Sequence, residues 1–259
     1  KGANQAYGAD AAFSFFDNVS TGGYYARTES AGGGRDNASY QGRLHYEGDR
    51  YGVRVDYTKV GKDFNPEVGF LRRPDFRRAA ADLRFSPRPR KPRHVRQYTY
   101  DVNAEYIENN AGHLDSRSVT GHVGVELTNS DQATVDVNAN YEGLLKSFPV
   151  STGIAIAPGG YSFNDVQVRY QAGQQRRVSG SLTLQAGAFY NGTIQALTLS
   201  SARASLTRQL SMEPSLSVNH VGLPTGRFTA TVHEPTGSAA LGLNWSQLDT
   251  KYRTLMPAS

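Results

Sequence analysis

Apolar and polar residues alternate with a period of two along almost the whole chain, in runs of about 9–12 residues. Tyr7, Ala9, Ala11, Phe13 and Phe15 share one side of the first run, against Gly8, Asp10, Ala12, Ser14 and Phe16. Tyr40, Gly42, Leu44 and Tyr46 alternate with Gln41, Arg43, His45 and Glu47. After a tight Gly48-Asp49 turn, Tyr51, Val53, Val55 and Tyr57 alternate with Gly52, Arg54, Asp56 and Thr58. The pattern returns over 97–106, 118–127 and 133–142. Weaker runs at 19–29, 76–86, 161–171, 177–190, 193–206, 212–221, 227–234 and 239–248 bring the expected total to about 14 strands. The blurred phase of 193–206 points to a bulge. A helix would need apolar residues every three or four positions, and helical periodicity is nowhere competitive.

Composition decides what such strands can build. Of 259 residues only 38% are hydrophobic, too few for a sheet buried on both faces, yet there are 15 Tyr, 11 Phe and 27 Gly, which a disordered chain would lack. An antiparallel, up-and-down transmembrane β-barrel reconciles these facts, because only every second residue must be apolar and the apolar side faces lipid. Strands of this length cross a bilayer when tilted. Connections agree over the first two-thirds of the chain: short turns at Asp17-Asn18, Gly48-Asp49 and Asn129–Asp131 alternate with longer loops at 30–38, 61–75, 108–115 and 143–160. Tyr40, Tyr46, Tyr51, Tyr57, Tyr98, Tyr106, Tyr141 and Tyr170 fall on the outward side, often near strand ends. Ordinary strand preference explains any one of them; together they describe an interfacial girdle. Cysteine is absent, which excludes thiol catalysis, disulfides and cysteine zinc sites.

The inward positions carry both signs of charge. Candidate lumen residues are Arg43, His45, Glu47, Arg54, Asp56, Asp101, Glu105, His122, Glu126 and Asp136, with Asp10, Asp82, Arg84, Glu142 and Arg169 on the same faces. Neighbouring strands bring Arg43, His45 and Glu47 beside Arg54 and Asp56, where cross-strand ion pairs form. Such a face either lines an aqueous path for polar solutes or fills and braces the lumen, and the pattern favours neither. His45 and His122 are expected to meet carboxylates across a lumen, as hydrogen-bonded side chains by default. No HxxxH or HExxH spacing occurs, so no metal and no cofactor is expected. A GxSxG elbow is also missing, and no catalytic residue is assigned.

Two loops hold apolar groups that need shelter. Loop 61–75 contains Phe64, Phe70, Arg72 and Arg73, and loop 143–160 contains Leu144, Leu145, Phe148, Val150, Ile154 and Ile156. Both are expected to fold over the barrel mouth or into the lumen, as gates or as seals. The densest positive run, 87–96, lacks interleaved aromatics, so no nucleic-acid partner is expected. It reads as a stiff solvated turn, or else as a contact for an anionic envelope polymer or a protein partner.

The stretch Val60-Gly61-Lys62-Asp63-Phe64-Asn65-Pro66-Glu67-Val68-Gly69-Phe70-Leu71-Arg72-Arg73 resembles the signature of an outer-membrane barrel family of unassigned function. Gly8-Ala9-Asp10-Ala11, Phe85-Ser86-Pro87-Arg88-Pro89 and Gly159-Gly160-Tyr161-Ser162-Phe163 are similar to further family segments, so the resemblance spans about residues 4–230. Members of that family look like barrels preceded by a domain similar to family 9 carbohydrate-binding modules. The resemblance implies that residues 1–259 are the C-terminal barrel portion of a larger protein, without that domain and the earliest strands. It implies a bacterial outer membrane location, contact with outer-membrane lipid and lipopolysaccharide, and passive transport or surface binding of polar solutes or carbohydrate. The alternatives are a membrane-embedded hydrolase acting on lipid or glycan, and an accessory barrel bound to an envelope protein partner.

Overall fold

The structure is a computed structural model that describes residues 4–30, 32–67, 71, 73–91, 93–205 and 210–239. The strands are β1 (Asn4–Phe15), β2 (Val19–Ser30), β3 (Ala38–Glu47), β4 (Tyr51–Val60), β5 (Phe76–Phe85), β6 (Val95–Glu108), β7 (Leu114–Leu127) and β8 (Gln132–Leu144), then β9 (Phe148–Ser151), β10 (Ile154–Ile156), β11 (Gly159–Ala172), β12 (Val178–Phe189), β13 (Gly192–Ser205), β14 (Leu210–Leu223) and β15 (Gly226–Ala239). No helix occurs among the described residues. Thirteen strands form one antiparallel sheet in chain order, from β1 to β8 and on through β11 to β15, while β9 and β10 make a separate hairpin. Thirteen of the expected runs are thus strands. The last, 239–248, lies outside the described residues apart from Ala239. In the sheet order β1 and β15 are the two ends, and no pairing joins them among the described residues.

Contacts divide the chain into two compact units. The first comprises Lys1–Ser86, Asp101–Thr120 and Asn140–Gly143; the second comprises Pro87–Tyr100, Gly121–Ala139 and Leu144–Ser259.

Register turns the alternation into two chemically different faces. In the first unit Leu44 lies opposite Val55 and Tyr46 opposite Val53, while Arg43 lies opposite Asp56 and His45 opposite Arg54. The next pairing repeats this, with Val53 opposite Leu83 and Arg54 opposite Asp82. Burial runs opposite to that of a water-soluble sheet. Leu44, Val55, Tyr57, Leu83, Val102, Val123, Val137, Val168 and Leu184 are exposed. Among the described residues, five hydrophobic side chains are buried against eight polar ones. Soluble monomers rarely expose apolar patches beyond a few hundred Å2, because each Å2 left in water forgoes about 25 cal/mol.

The β1–β2 connection turns at Phe16–Asn18, where Phe16 and Asp17 are left-handed at φ 52° and 59°. Phe16 stands 90% exposed at its tip. In the second unit the expected irregularity of β13 is present. Its pairing slips between Leu199 and Ala204 on one side, that of β12 slips between Ser179 and Ser181 on the other, and Ser201 is left-handed at φ 51°.

Candidate functional site

The polar face of β3–β6 gathers most of the sequence-predicted lumen residues of the first unit. Glu47 ends β3 and accepts a 2.7 Å bond from the Arg54 guanidinium; Arg84 comes within 3.7 Å of the same carboxylate and donates to the Gly48 carbonyl at 2.9 Å. Glycine at position 52 makes this convergence possible, since a Cβ there would lie 2.9 Å from the Arg84 Nε. The result is a pocket of about 160 Å3 whose lining includes Glu47, Arg54, Asp82, Arg84, Asp101 and Asn103. Further along the ladder Arg78 bonds Glu105. A face with carboxylates and guanidiniums interleaved offers both donors and acceptors to a polar solute and strongly favours neither ion sign.

Both inward histidines meet carboxylates, but on the adjoining strand rather than across a lumen. His45 Nε2 lies 3.3 Å from Asp56, and His122 Nδ1 lies 2.5 Å from Asp136. Period-two strands put these pairs side by side, and the shorter cross-strand reach wins. Arg43, in register with Asp56, makes no ion pair among the described residues, and His45 contacts that carboxylate instead. In the second unit Glu126 pairs with Arg96 at 3.0 Å. Asp165, buried, accepts from Asn138 at 3.0 Å and from Gln185 at 2.9 Å. No group of metal-ligating side chains forms among the described residues.

The two loops behave differently. In loop 61–75 Phe64 is half-buried and Arg73 pairs with Asp115; Phe70 and Arg72 lie outside the described residues. Asp36, in the loop before β3, accepts from Lys59 at 3.0 Å and from the Lys62 N–H at 3.3 Å. Burial opposes ionisation of Asp36, but the Lys59 hydrogen bond, the Lys62 N–H and their charges outweigh it and hold the carboxyl below its usual range.

Loop 143–160 contains the unpredicted β9–β10 hairpin. Ile156 (2% exposed), Val221 and Leu223 form a buried cluster, packed round by Val150, Ile154, Ile194, Phe189 and Phe228 among others. Ile194 and Val221 face each other on β13 and β14, and share the polar side's parity with Thr198 and Ser217. At the loop end of β13–β14, therefore, the otherwise polar face turns apolar and is covered by the hairpin. Gly226 admits it closely: a Cβ there would sit 3.0 Å from Ile154 Cδ1. Contrary to the sequence expectation, Leu145 is 89% exposed and Phe148 is 45% exposed. Leu145 precedes β9, and Phe148 opens it in register with Ile156 at the rim of the cluster, where its ring lies 6.4 Å from that of Tyr190.

Sequence reasoning overlooked a junction at the opposite strand ends. Asp131, whose side chain is 3% exposed, accepts from Tyr170 Oη and Arg176 Nη2, both at 2.6 Å, and from the Gly173 N–H at 2.8 Å. These bonds tie the β7–β8 turn to the β11–β12 turn. The Tyr170 hydrogen bond foremost, then the Gly173 N–H, with Arg176 and Asn129 adding, hold Asp131 below the usual carboxylate range against the cost of burial. Its only sequence trace is the Asn129-Ser130-Asp131 turn, since the partners are some forty residues away. A polar hollow of about 370 Å3 also opens beside the β12–β14 irregularity, lined by Ser179, Ser201, Arg203, Glu213 and Ser215 among others.

Comparison with protein families, with curated proteins and with solved structures finds no match to this chain.

Proposed function

We propose that this chain is the membrane-spanning part of an antiparallel β-barrel in a bacterial outer membrane, and that its charged face carries or binds polar solutes. One observation bears most of the weight: the apolar side of the strands is exposed while the polar side holds the ion pairs. Lipid would cover the first face, and water-filled or solute-filled space would suit the second. Exposed tyrosines near strand ends, among them Tyr46, Tyr51 and Tyr98, support an interfacial girdle. The motif resemblance around Val60–Arg73 points the same way and makes carbohydrate one class of solute to try. Access would be limited by loop 61–75 and by the β9–β10 hairpin.

Planar-bilayer recording on the protein purified in detergent tests this reading. Stepwise, salt-dependent currents are expected. Arg54→Ala should raise cation preference and Asp56→Ala should lower it, read as reversal potentials displaced in opposite directions across a salt gradient. A folded, inserted protein that passes no current would overturn the pathway. A protein that stays soluble and monomeric without detergent would overturn the membrane itself.

A further inference from the structure

We infer that the basic turn between β5 and β6 is a docking surface for the headgroups of anionic phospholipids at the short-turn edge of the bilayer. This rests on the membrane-spanning reading above and adds a lipid preference to it. Arg88, Arg90, Lys91, Arg93, His94 and Arg96 are all exposed within nine consecutive positions. Arg96 pairs with Glu126, whereas Arg90, Lys91 and Arg93 make no ion pair among the described residues.

The turn is not a free tail. Tyr98 N–H donates to the Pro87 carbonyl at 3.0 Å, Thr128 N–H donates to the His94 carbonyl at 2.9 Å, and Arg93 N–H donates to the Lys91 carbonyl at 3.0 Å. These bonds hold the unpaired cations against the start of β6 and the β7–β8 turn. Immediately along β6 come Tyr98 and Tyr100, both exposed on the apolar side, with Val123 on β7 and Val135 and Val137 on β8. The second unit thus presents unpaired cations at its short-turn edge, with tyrosine rings and bare aliphatic side chains beside one another next along the strands. A phospholipid presents the complementary order of phosphate, glycerol and acyl chain. A nucleic acid would match the cations but leave the apolar stripe uncovered, and the run interleaves no Phe, Tyr or Trp as a platform for successive bases.

Each cation near an anionic membrane surface favours binding by about fivefold, and salt screens the effect within about 10 Å at 0.1 M. The intact chain in detergent would be titrated with an equimolar mixture of phosphatidylglycerol and phosphatidylcholine of identical acyl chains, and retained lipid counted by native mass spectrometry. Wild type should retain phosphatidylglycerol by about tenfold or more over phosphatidylcholine. The combined R90Q, K91Q and R93Q variant should lose most of that preference, and so should wild type in high salt. Removing two cations elsewhere, as R35Q with K62Q, should leave it intact.

Heat-modifiable mobility, run on every variant, reports the folded barrel separately. A protein without it fails the spanning reading and this inference together. A folded barrel with equal retention of both lipids, or a triple variant that keeps the preference, overturns the inference alone. Displacement of the lipid by inorganic phosphate at constant ionic strength, or by a short single-stranded oligonucleotide, would also overturn it.

Discussion

The polar face of β3–β6 and the loop end of β13–β14 use the same alternate positions for opposite chemistry. In the first region the contacts are ions still partly open to solvent: Arg54 and Glu47 are half-exposed, and Arg78 and Glu105 scarcely less so. Pairs of that kind contribute little to stability, commonly about 0–1 kcal/mol, so this face is held up by its backbone ladder rather than by its charges. In the second region Ile194, Val221 and Phe228 replace the charges and a hairpin is laid over them. Burial of branched and aromatic side chains there is worth about 1.5–3 kcal/mol each, so the covering is itself a source of stability. Identical strand geometry therefore yields one face lined by ion pairs still open to solvent and another whose composition is committed to closing a gap.

Breaking the second region should give the largest effect. Ile156→Ala removes the most deeply buried aliphatic side chain of the cluster, and substitutions of this type cost about 2–5 kcal/mol. The hairpin should undock while the paired strands persist. Limited proteolysis would then cut within 145–158 at least tenfold faster than in wild type, with cleavage elsewhere unchanged. Faster cutting throughout would mean that the hairpin braces the whole sheet, and no change would mean that the cluster is not what holds it.

Different levels of this organisation were legible in the sequence to different degrees. Strand positions followed from the period of two because side-chain direction in a strand depends on nothing else. Cross-strand pairing of Arg43, His45 and Glu47 with Arg54 and Asp56 followed from neighbouring strands, but which group each would take did not. Arg54 lies in register with His45 yet reaches diagonally to Glu47, a span that two long side chains cover. Arg78 shares the parity of Asp82 and Arg84, and the same rule would have found it. The β9–β10 strands of four and three residues are too short to show a period, so loop 143–160 looked uniformly in need of shelter. The Asp131 junction joins two turns that are adjacent only after the sheet has assembled, and no local pattern encodes that.

Asp131 extends the comparison to pH. Unlike the half-exposed pairs of β3–β6, it is an ionised carboxylate enclosed by a phenol, an N–H and a guanidinium. Its folded pKa lies below the unfolded value of about 3.9, so its contribution is complete above that value and is lost as pH falls through the folded pKa. Amide exchange at Gly173, whose N–H donates to Asp131, is the local readout. After correction for the intrinsic pH dependence of exchange, protection should be constant from pH 7 to 5 and decline below pH 4. Asp131→Asn should lower protection at pH 7 and converge on wild type in acid. A variant that stays equally far from wild type at every pH would show that shape, not charge, secures the two turns.

The smallest effect expected is the coupling between Arg78 and Glu105, and its smallness is what the comparison requires. Both side chains are 37% exposed, so each sheds only part of its hydration on pairing and salt screens what remains. A double-mutant cycle with Arg78→Gln and Glu105→Gln, read by unfolding in detergent, should give a coupling of about 0.2–1 kcal/mol that shrinks further at high salt. On the proposed transport reading the same two substitutions should nevertheless move ion selectivity in opposite senses, because a charge that adds little to folding still adds its field. A coupling of several kcal/mol that salt leaves unchanged would mean that water is shut out of this face. The ladder would then be a filled core like the Ile156 cluster, and the distinction between the two regions would fall.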